Sequence, residues 1–192
     1  MPPLILASSS VYRRQLLERL RLPFDCVAPG VDEAPLAAES PPERALRLAL
    51  AKAGAVAERH PASIIIGSDQ VGVCKGEALE KPGDALRARA QLQWMSAAAA
   101  TFHTAVAVLA PERGQALQFV DTTTVYFRAL SDAEIERYIA IEQPFDCAGA
   151  FRCEGLGISL FSRIVSEDPS ALVGLPLIAL ARLLRQIGYE LP

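Results

Sequence analysis

The sequence predicts an α/β fold, a mixed sheet with flanking helices. Short apolar strands alternate with amphipathic helices through the first half of the chain, and a strand meander dominates the second half. The composition, 51% hydrophobic and 21% charged, is typical of a globular protein rather than a disordered one. A chain of 192 residues is long enough to bury a substantial core. We therefore expect one domain over residues 1–192.

The first three elements follow from the pattern of apolar residues. Leu4–Ala7 is a short apolar run, which predicts a buried strand. Arg13–Leu20 repeats leucine at helical spacing, which predicts a helix with one buried face. Phe24–Val31 predicts a second strand, and Gly30 ends it.

The next helix carries its own start signal. Ser40 and Glu43 have the spacing of a capping box, and Pro41 occupies the first helical position. A loop rich in proline and alanine precedes the helix, and the pattern predicts that the helix continues to about Arg59. Its predicted buried face consists of small and branched apolar residues: Leu46, Ala49, Leu50 and Ala53.

The remaining elements are predicted by the same signals of periodicity, capping and turn residues. They are a strand over 63–73, a helix over 84–95, strands over 103–110 and 117–130 joined at 111–114, a helix begun by the Ser131–Glu134 capping box, strand-like backbone over 147–164, and a last helix from Pro176 to Gly188.

Charge and cysteine usage exclude several classes of function. The net charge of -3 provides no overall basic field, so we expect no nucleic-acid partner. No apolar run reaches the roughly 18 residues of a membrane span, and no secretory signal is expected, which predicts a cytoplasmic protein with no membrane partner. The four cysteines are scattered, without CxxC or zinc spacing, and are expected to be reduced thiols.

The turn after the first strand predicts an anion site. Ser8, Ser9 and Ser10 lead into the helix, where unpaired backbone N–H groups and the helix dipole favour negative charge. Arg13 and Arg14 lie in its first turn, where cations are normally disfavoured, and a bound phosphate would relieve that repulsion. The alternative is that Ser10 is an ordinary N-cap and both arginines face solvent.

The segment "IIIGSDQ" predicts an acidic site at a sheet edge. Its apolar half should lie inside the sheet and deliver Asp69 and Gln70 at the strand's carboxyl end, where ligands bind in open α/β sheets. Asp69 could bind magnesium or accept a proton from water; alternatively it only caps the following turn. Glu33, after Gly30, could reach the same edge and complete a two-carboxylate magnesium site, although a single loop acid is more often solvated.

The lysines give a weaker signal. Lys52 lies on the flank of the apolar stripe of the second predicted helix, and Lys81 lies in "EKPG" before the third. Each taken alone is more often a surface lysine than a ligand. Because the chain has only one other lysine, Lys75, the place of Lys52 and Lys81 beside candidate site segments makes both of them candidates for the site.

Several motifs in matching order resemble the Maf nucleotide pyrophosphatases. They are "LILASSSVYRRQLLERL", "PGVDE", "LALAKA", "IIGSDQV", "KP" at Lys81, "VYFRALSDAEIERYI", "CAGAFRCEGLGISLF" and "LVGLPL". The likeness extends from about Leu4 to Leu184. It implies a Maf/ITPase-like fold, in which a mixed sheet with flanking helices forms two lobes around a deep cleft, and a homodimer.

The resemblance implies an activity and a set of site residues. The family hydrolyses nucleoside triphosphates between the α and β phosphates, with a divalent metal cation, Mg²⁺ or Mn²⁺, as cofactor. Its proton-accepting aspartate falls on Asp69, with Glu33 and Asp69 at the metal. Phosphate-binding positions fall on Ser8, Arg13, Lys52 and Lys81, with Arg14 added by the argument above.

Substrate preference is expected to follow the branch that acts on 7-methyl-GTP. Tyr12, Gln70 and Glu154 resemble that branch. A methylated guanine is cationic, so an aromatic face attracts it by cation–π contact and a glutamate complements its charge. The alternatives are preference for dTTP and UTP or for CTP, and a non-catalytic nucleotide sensor that regulates septum formation. Tyr12 could instead pack at the helix start, and Glu154 could be a surface acid.

Two alanines depart from the family pattern. Ala97 and Ala105 stand where glycine is expected. If the backbone at either position has a positive φ, the alanine there is strained.

Overall fold

The computed structural model describes residues 2–192. The helices are α1 (Val11–Glu18), α2 (Pro41–Ala57), α3 (Ala85–Met95), α4 (Asp132–Glu142) and α5 (Leu177–Gln186). The strands are β1 (Leu4–Leu6), β2 (Asp25–Cys26), β3 (Ile64–Cys74), β4 (Glu77–Leu79), β5 (Ala99–Ala110), β6 (Gln115–Phe127) and β7 (Phe161–Val165). Among these residues, no helix combines the length and apolar composition that crossing a membrane would need.

The strands form one mixed sheet, which confirms the predicted fold class. Their order is β2-β1-β3-β5-β6-β7, and β4 pairs with β3 off this path. β1 is parallel to β2 and β3, whereas β3–β4 and β6–β7 are antiparallel. In the β1–β3 register Leu6 pairs with Ile66, so the turn that follows β1 lies level with Ser68 and Asp69. The parallel part of the sheet therefore brings the two predicted site segments to the same edge.

Contacts divide the chain into two compact units. The first comprises residues up to Gln70, His103–Asp121 and the residues from Asp168 onward. The second comprises Val71–Phe102 and Thr122–Glu167. Strands β3, β5 and β6 contribute residues to both.

The first unit is built around aliphatic side chains from β1, β3, β5, α1 and α5. The predicted stripe of α5 is confirmed: Leu180, Leu183, Leu184 and Ile187 are buried. Leu16 and Leu17 of α1 join the same core, and Leu20, beyond the end of α1, packs against it partly buried. Each fully buried leucine contributes roughly 1.5–3 kcal/mol relative to an exposed one.

The second unit has an aromatic centre. Phe102, Phe127, Phe151 and Phe161 meet edge to face, with ring centroids 5.0–5.7 Å apart. In α4 of this unit, the Ser131–Glu134 capping box is present as predicted.

Two strand predictions were wrong in extent. The strand expected over Phe24–Val31 is only the two residues of β2, because its partner β1 is itself three residues long and Pro29 has no N–H to donate. The strand-like backbone expected over 147–164 is mostly 3-10 turns, at Ala148–Ala150 and Leu156–Leu160, followed by β7. Strand β4 was not predicted.

The buried face of α2 is rotated from the prediction. Ala49 and Ala53 are buried as expected, but Leu46 and Leu50 are only half-buried. The buried positions are instead Ala45, Leu48, Ala49, Lys52, Ala53 and Val56. Ala49 and Ala53 meet β3 at Gly67, where the helix and the strand approach closely, and this contact fixes which side of α2 is buried.

Candidate active site

The serine turn after β1 organises the start of α1. Ser8 is buried, and its Oγ accepts a hydrogen bond from the backbone N–H of Ser10 at 3.1 Å. Ser10 is the N-cap of α1, accepting from the N–H of Arg13 at 3.4 Å. The capping alternative is therefore correct for Ser10, and the turn still presents the N-terminus of α1 at the sheet edge.

Arg13 points into the protein rather than into solvent. Its Nε–H donates to the carbonyl oxygen of Gly174 at 2.9 Å. Burial lowers the pKa of the Arg13 guanidinium, whereas the negative charges of Asp69 and Glu33 act in the opposite direction. The Gly174 bond uses Nε, and the terminal amino groups form the fork that suits phosphate oxygens in general. The phosphate role of Arg13 stays a prediction.

Lys52, Asp69 and Glu33 form an ion-paired group. Lys52 Nζ lies 2.6 Å from Asp69 Oδ1 and 2.8 Å from Glu33 Oε1. The side chains of Lys52 and Asp69 are 7% and 9% exposed, while that of Glu33 is 57% exposed. Burying charges is costly unless they are paired, so each member of the buried pair depends on the other. Glu33 and Asp69 come together as expected, with Lys52 between them. The prediction that Asp69 and Gln70 lie at the carboxyl end of their strand was wrong: both lie in the middle of β3 (Ile64–Cys74), just past the end of its short neighbour β1, because β3 continues and pairs with β4.

Gly67 explains how Lys52 reaches Asp69. A Cβ on Gly67 would lie 2.1 Å from the carbonyl oxygen of Ala49 and 2.9 Å from Ala53. Only glycine allows α2 to approach β3 this closely. Because side chains alternate along a strand, Gly67 and Asp69 share the face that meets α2. The close approach thus sets the distance of the ion pair.

Gln70 lies half-buried on the other face of β3. Its amide nitrogen donates to Thr104 Oγ1 at 2.9 Å and to the carbonyls of Ala171 and Leu172 at 3.0 and 3.1 Å. Because three acceptors surround one end of the Gln70 carboxamide, that end is the NH₂ group. The carbonyl end is the part that could contact a ligand, and the predicted specificity role stays a prediction.

The two other predicted residues of α1 have different surroundings. Arg14 is exposed, and its Nε lies 3.1 Å from Glu18 Oε1. Tyr12 is half-buried in the first turn of the helix. The phosphate role of Arg14 and the base-binding role of Tyr12 stay predictions.

Lys81 and Glu154 belong to the second unit. Lys81 is exposed in the loop between β4 and α3. Glu154 is exposed in the turn before the 3-10 segment Leu156–Leu160. The first unit by itself brings together Ser8, Arg13, Glu33, Lys52, Asp69 and Gln70, and the contributions of Lys81 and Glu154 stay predictions.

The acidic pair fits a magnesium or manganese ion. No group of three or more His, Cys, Asp or Glu side chains suited to a metal occurs within residues 2–192. Magnesium, however, commonly takes one or two protein carboxylates and completes its shell with water and substrate phosphates. Glu33 and Asp69 contact the same ammonium and supply the hard oxygen ligands that such an ion prefers.

Sequence reasoning missed the residues that support this site. Gly67 and Ser68 stand next to Asp69 in "GSDQ", but no local pattern reveals their contacts. Ser68 is buried and donates to Gly174, and Thr104 is buried and donates to Ala171. These contacts join residues distant in sequence, so periodicity cannot reveal them.

Two solved structures align with part of this chain at low similarity. A HAM1 protein from Coxiella burnetii superposes with a TM-score of 0.45 and 17% identity, over 66% of this chain and 73% of that one. The Ham1 protein of Staphylococcus aureus gives a TM-score of 0.46 and 13% identity, over 65% of this chain and 71% of that one. Nothing about activity follows from likenesses of this level.

Sequence relatives match the chain along its whole length. A protein of Xanthomonas oryzae pv. oryzae named 7-methyl-GTP pyrophosphatase is 59% identical, with 100% of both chains covered. Proteins of the same name from Ralstonia nicotianae and Cupriavidus pinatubonensis are 53% and 55% identical, covering 99% and 98% of this chain and 98% and 95% of their own. The family model for Maf-like proteins matches residues 3–187. With its serine–arginine turn and its buried Lys52–Asp69 pair at one sheet edge, this chain belongs to the Maf family.

Proposed function

We propose that this protein is a nucleotide pyrophosphatase that hydrolyses nucleoside triphosphates to a monophosphate and pyrophosphate, with preference for 7-methyl-GTP. The observation that carries the proposal is the buried Lys52–Asp69 pair, with Glu33 and Arg13 beside it. A cluster of two cations and two carboxylates can bind phosphates and handle a proton at one place. The names of the relatives support the same activity and substrate.

The cationic groups act on the phosphates. Arg13 offers its terminal amino groups, and Lys52 offers a buried ammonium, to oxygens that gain negative charge as pyrophosphate leaves. Ser8 and the backbone N–H groups at the start of α1 add hydrogen-bond donors, and Lys81 is proposed to join them. Preorganised donors of this kind are the main source of rate enhancement in phosphoryl transfer.

Asp69 is proposed to accept a proton from the attacking water. The water oxygen bonds to the α phosphorus, the bond from that phosphorus to the bridging oxygen breaks, and the electron pair leaves with pyrophosphate. The Lys52 contact holds the Asp69 carboxylate in place for this step. A bound Mg²⁺ or Mn²⁺, held by Glu33 and Asp69, would neutralise part of the negative charge of the phosphates.

Three residues are proposed to recognise the base. The ring of Tyr12 can stack on a cationic methylguanine, in a contact of about 0.5–2 kcal/mol. Glu154 can accept hydrogen bonds from the guanine edge, and Gln70 has its carbonyl end available. We further propose, from the family resemblance, that the protein is a homodimer and is cytoplasmic. Light scattering would measure its oligomeric state.

The test is pyrophosphate release from a panel of 7-methyl-GTP, dTTP, UTP and CTP, compared by kcat/KM with magnesium present. We expect the highest value for 7-methyl-GTP and no turnover by Asp69→Asn. Asp84→Asn is the matched control, since Asp84 is an exposed helix N-cap and asparagine caps equally well.

Each other outcome has a defined meaning. Equal rates on all nucleotides would contradict the proposed roles of Tyr12 and Glu154. A higher rate on dTTP and UTP or on CTP would assign the chain to another specificity. Tight nucleotide binding without any turnover would identify a sensor instead of an enzyme.

A further inference from the structure

The segment of residues 168–175, which we call the 168–175 loop, packs against the candidate site inside the first unit. Side chains of the site bind its backbone carbonyls rather than its side chains. The carbonyl of Gly174 accepts from Arg13 Nε at 2.9 Å and from Ser68 Oγ at 3.0 Å. Both lone-pair positions of one oxygen are thus occupied, one by a phosphate-binding candidate and one by a buried hydroxyl.

The second contact of the loop involves Gln70. Thr104 is fully buried, and its hydroxyl donates to the carbonyl of Ala171 at 2.9 Å while accepting from the Gln70 amide at 2.9 Å. The same Gln70 amide also reaches the carbonyls of Ala171 and Leu172. The carboxamide is therefore fixed in one orientation by the loop and by Thr104 together.

Hydrogen bonds to α5 hold the loop in shape. Asp168 is 3% exposed, and its carboxylate accepts from the N–H of Ser170 at 3.0 Å and from the N–H of Ile178 at 2.7 Å. Ser170 Oγ accepts from the N–H of Leu177 at 2.8 Å. The loop is thereby tied to the first turn of α5. Its carbonyls form a rigid row of acceptors, and the φ of +129° at Gly174 is one that other residues rarely adopt.

The alternation of β3 connects this loop to Asp69. Gly67 and Asp69 face α2, and Ser68 and Gln70 face the 168–175 loop. The strand around Asp69 is therefore clamped from both sides. One side sets the Lys52 contact, and the other sets the positions of Arg13 and Gln70.

We propose that Ser68 and Thr104 are positioning residues of this site, which bind carbonyls of the 168–175 loop and so fix the Arg13 guanidinium for the phosphates and the Gln70 carboxamide for the base. The inference rests on the proposed function. Neither residue touches the nucleotide; each acts through another side chain. Loss of either hydroxyl removes one of the hydrogen bonds to a buried loop carbonyl. The other side chain bound to that carbonyl, Arg13 or Gln70, is then less firmly held.

The test is a double-mutant cycle between Ser68→Ala and Arg13→Ala. Ser68→Ala alone is expected to reduce kcat/KM about 10- to 100-fold, because a small displacement of the Arg13 guanidinium would weaken its contact with the phosphates. In the Arg13→Ala background the same change should have little further effect, because the group that Ser68 positions is already gone. Ser63→Ala changes a buried serine just before β3; it is the matched control and should retain activity.

Thr104 is tested by a pair of variants. Thr104→Val keeps the shape and loses the hydroxyl, and Thr104→Ser keeps the hydroxyl. We expect Thr104→Val to weaken discrimination between 7-methyl-GTP and UTP, and Thr104→Ser to restore it. Equal effects of the two variants would contradict a role for the hydroxyl.

Binding measurements separate this inference from the proposed function. Dissociation constants for an α,β-methylene nucleoside triphosphate are measured by calorimetry for the same variants, and urea unfolding confirms that each is folded. Additive effects of Ser68→Ala and Arg13→Ala, in both turnover and binding, would overturn the inference. If the wild type binds the analogue but hydrolyses no nucleotide, the proposed function fails, and the binding cycle still decides whether Ser68 positions Arg13.

Discussion

Lys52 Nζ lies 2.6 Å from Asp69 Oδ1, in a contact buried between α2 and β3. A buried pair gains attraction but has lost the hydration of both charges, so its net contribution to stability is small. Removing one partner is different, because the remaining buried charge loses its nearest counterion and has little water to replace it. We therefore expect the activity and the stability of this protein to depend on the same two side chains.

Lys52→Met is expected to remove activity and to lower the free energy of unfolding by about 3 kcal/mol, the cost of leaving one buried charge unpaired. The double variant Lys52→Met/Asp69→Asn should recover part of that stability while remaining inactive. Urea unfolding and pyrophosphate release measure the two effects. Equal stability of the single and double variants would show that the Asp69 charge is not the cause.

Gly67→Ala is expected to displace α2 from β3, because its Cβ would lie 2.1 Å from the Ala49 carbonyl. Overpacking of this kind costs about 1–3 kcal/mol, and separation of Lys52 from Asp69 should reduce kcat strongly. Gly54→Ala is the matched control. A Cβ on Gly54 meets nothing within 4 Å, so alanine in this helix should stabilise the protein by about 1 kcal/mol. Full activity of Gly67→Ala would contradict the role of the close approach.

Ala97→Gly is expected to stabilise the protein. Ala97 has a φ of +57°, in the left-handed region that costs a non-glycine residue roughly 1–2 kcal/mol. The greater chain entropy of glycine in the unfolded state offsets part of this gain, leaving about 0.5–1 kcal/mol. Ala105→Gly should instead destabilise, since Ala105 is fully buried in β5 and does not have a positive φ. Thermal unfolding of both variants measures the difference, and a loss of stability in Ala97→Gly would refute the strain.

Glu134→Gln is expected to lose stability in a pH-dependent way. Hydrogen bonds from the N–H and hydroxyl of Ser131, and the contact with Arg128, lower the pKa of Glu134 from 4.5 to about 2. The ionised form is thus favoured on folding, and its contribution is complete above pH 4.5 and disappears as the pH falls toward 2. Urea midpoints of wild type and variant should therefore converge between pH 5 and pH 2.5. Glu112→Gln, in an exposed turn, is the control; a gap that stays constant with pH would contradict the assignment.

The sequence predicted most of the helices and the long strands because their signals are local. The capping boxes at Ser40 and Ser131 and the stripe of α5 are each contained within a few turns of chain. The length of β2 was overestimated because a strand extends only as far as a neighbouring strand can pair with it, and β1 is short. The face of α2 was misjudged for a similar reason. Which side of an alanine-rich helix is buried depends on the close approach at Gly67.

For the candidate site, too, the residues could be predicted from the sequence but their arrangement could not. Residue types and motif order were enough to single out Ser8, Arg13, Glu33, Lys52 and Asp69, because phosphate and metal chemistry needs cations, hydroxyls and carboxylates at strand and helix ends. Sequence could not reveal that Lys52 lies between the two carboxylates. That arrangement depends on a helix and a strand that meet only in the folded chain.

By itself, then, the amino-acid sequence determined the α/β class, the presence and order of the helices and the family to which this chain belongs, since each is encoded in neighbouring residues and in the order of motifs. Only the tertiary structure decided which arginine turns inward, which face of α2 carries a charge into the interior, and which carbonyls hold the site. Those features arise from contacts between segments as far apart as Arg13 and Gly174, and the free energy of such contacts depends on burial and distance, which no local pattern encodes.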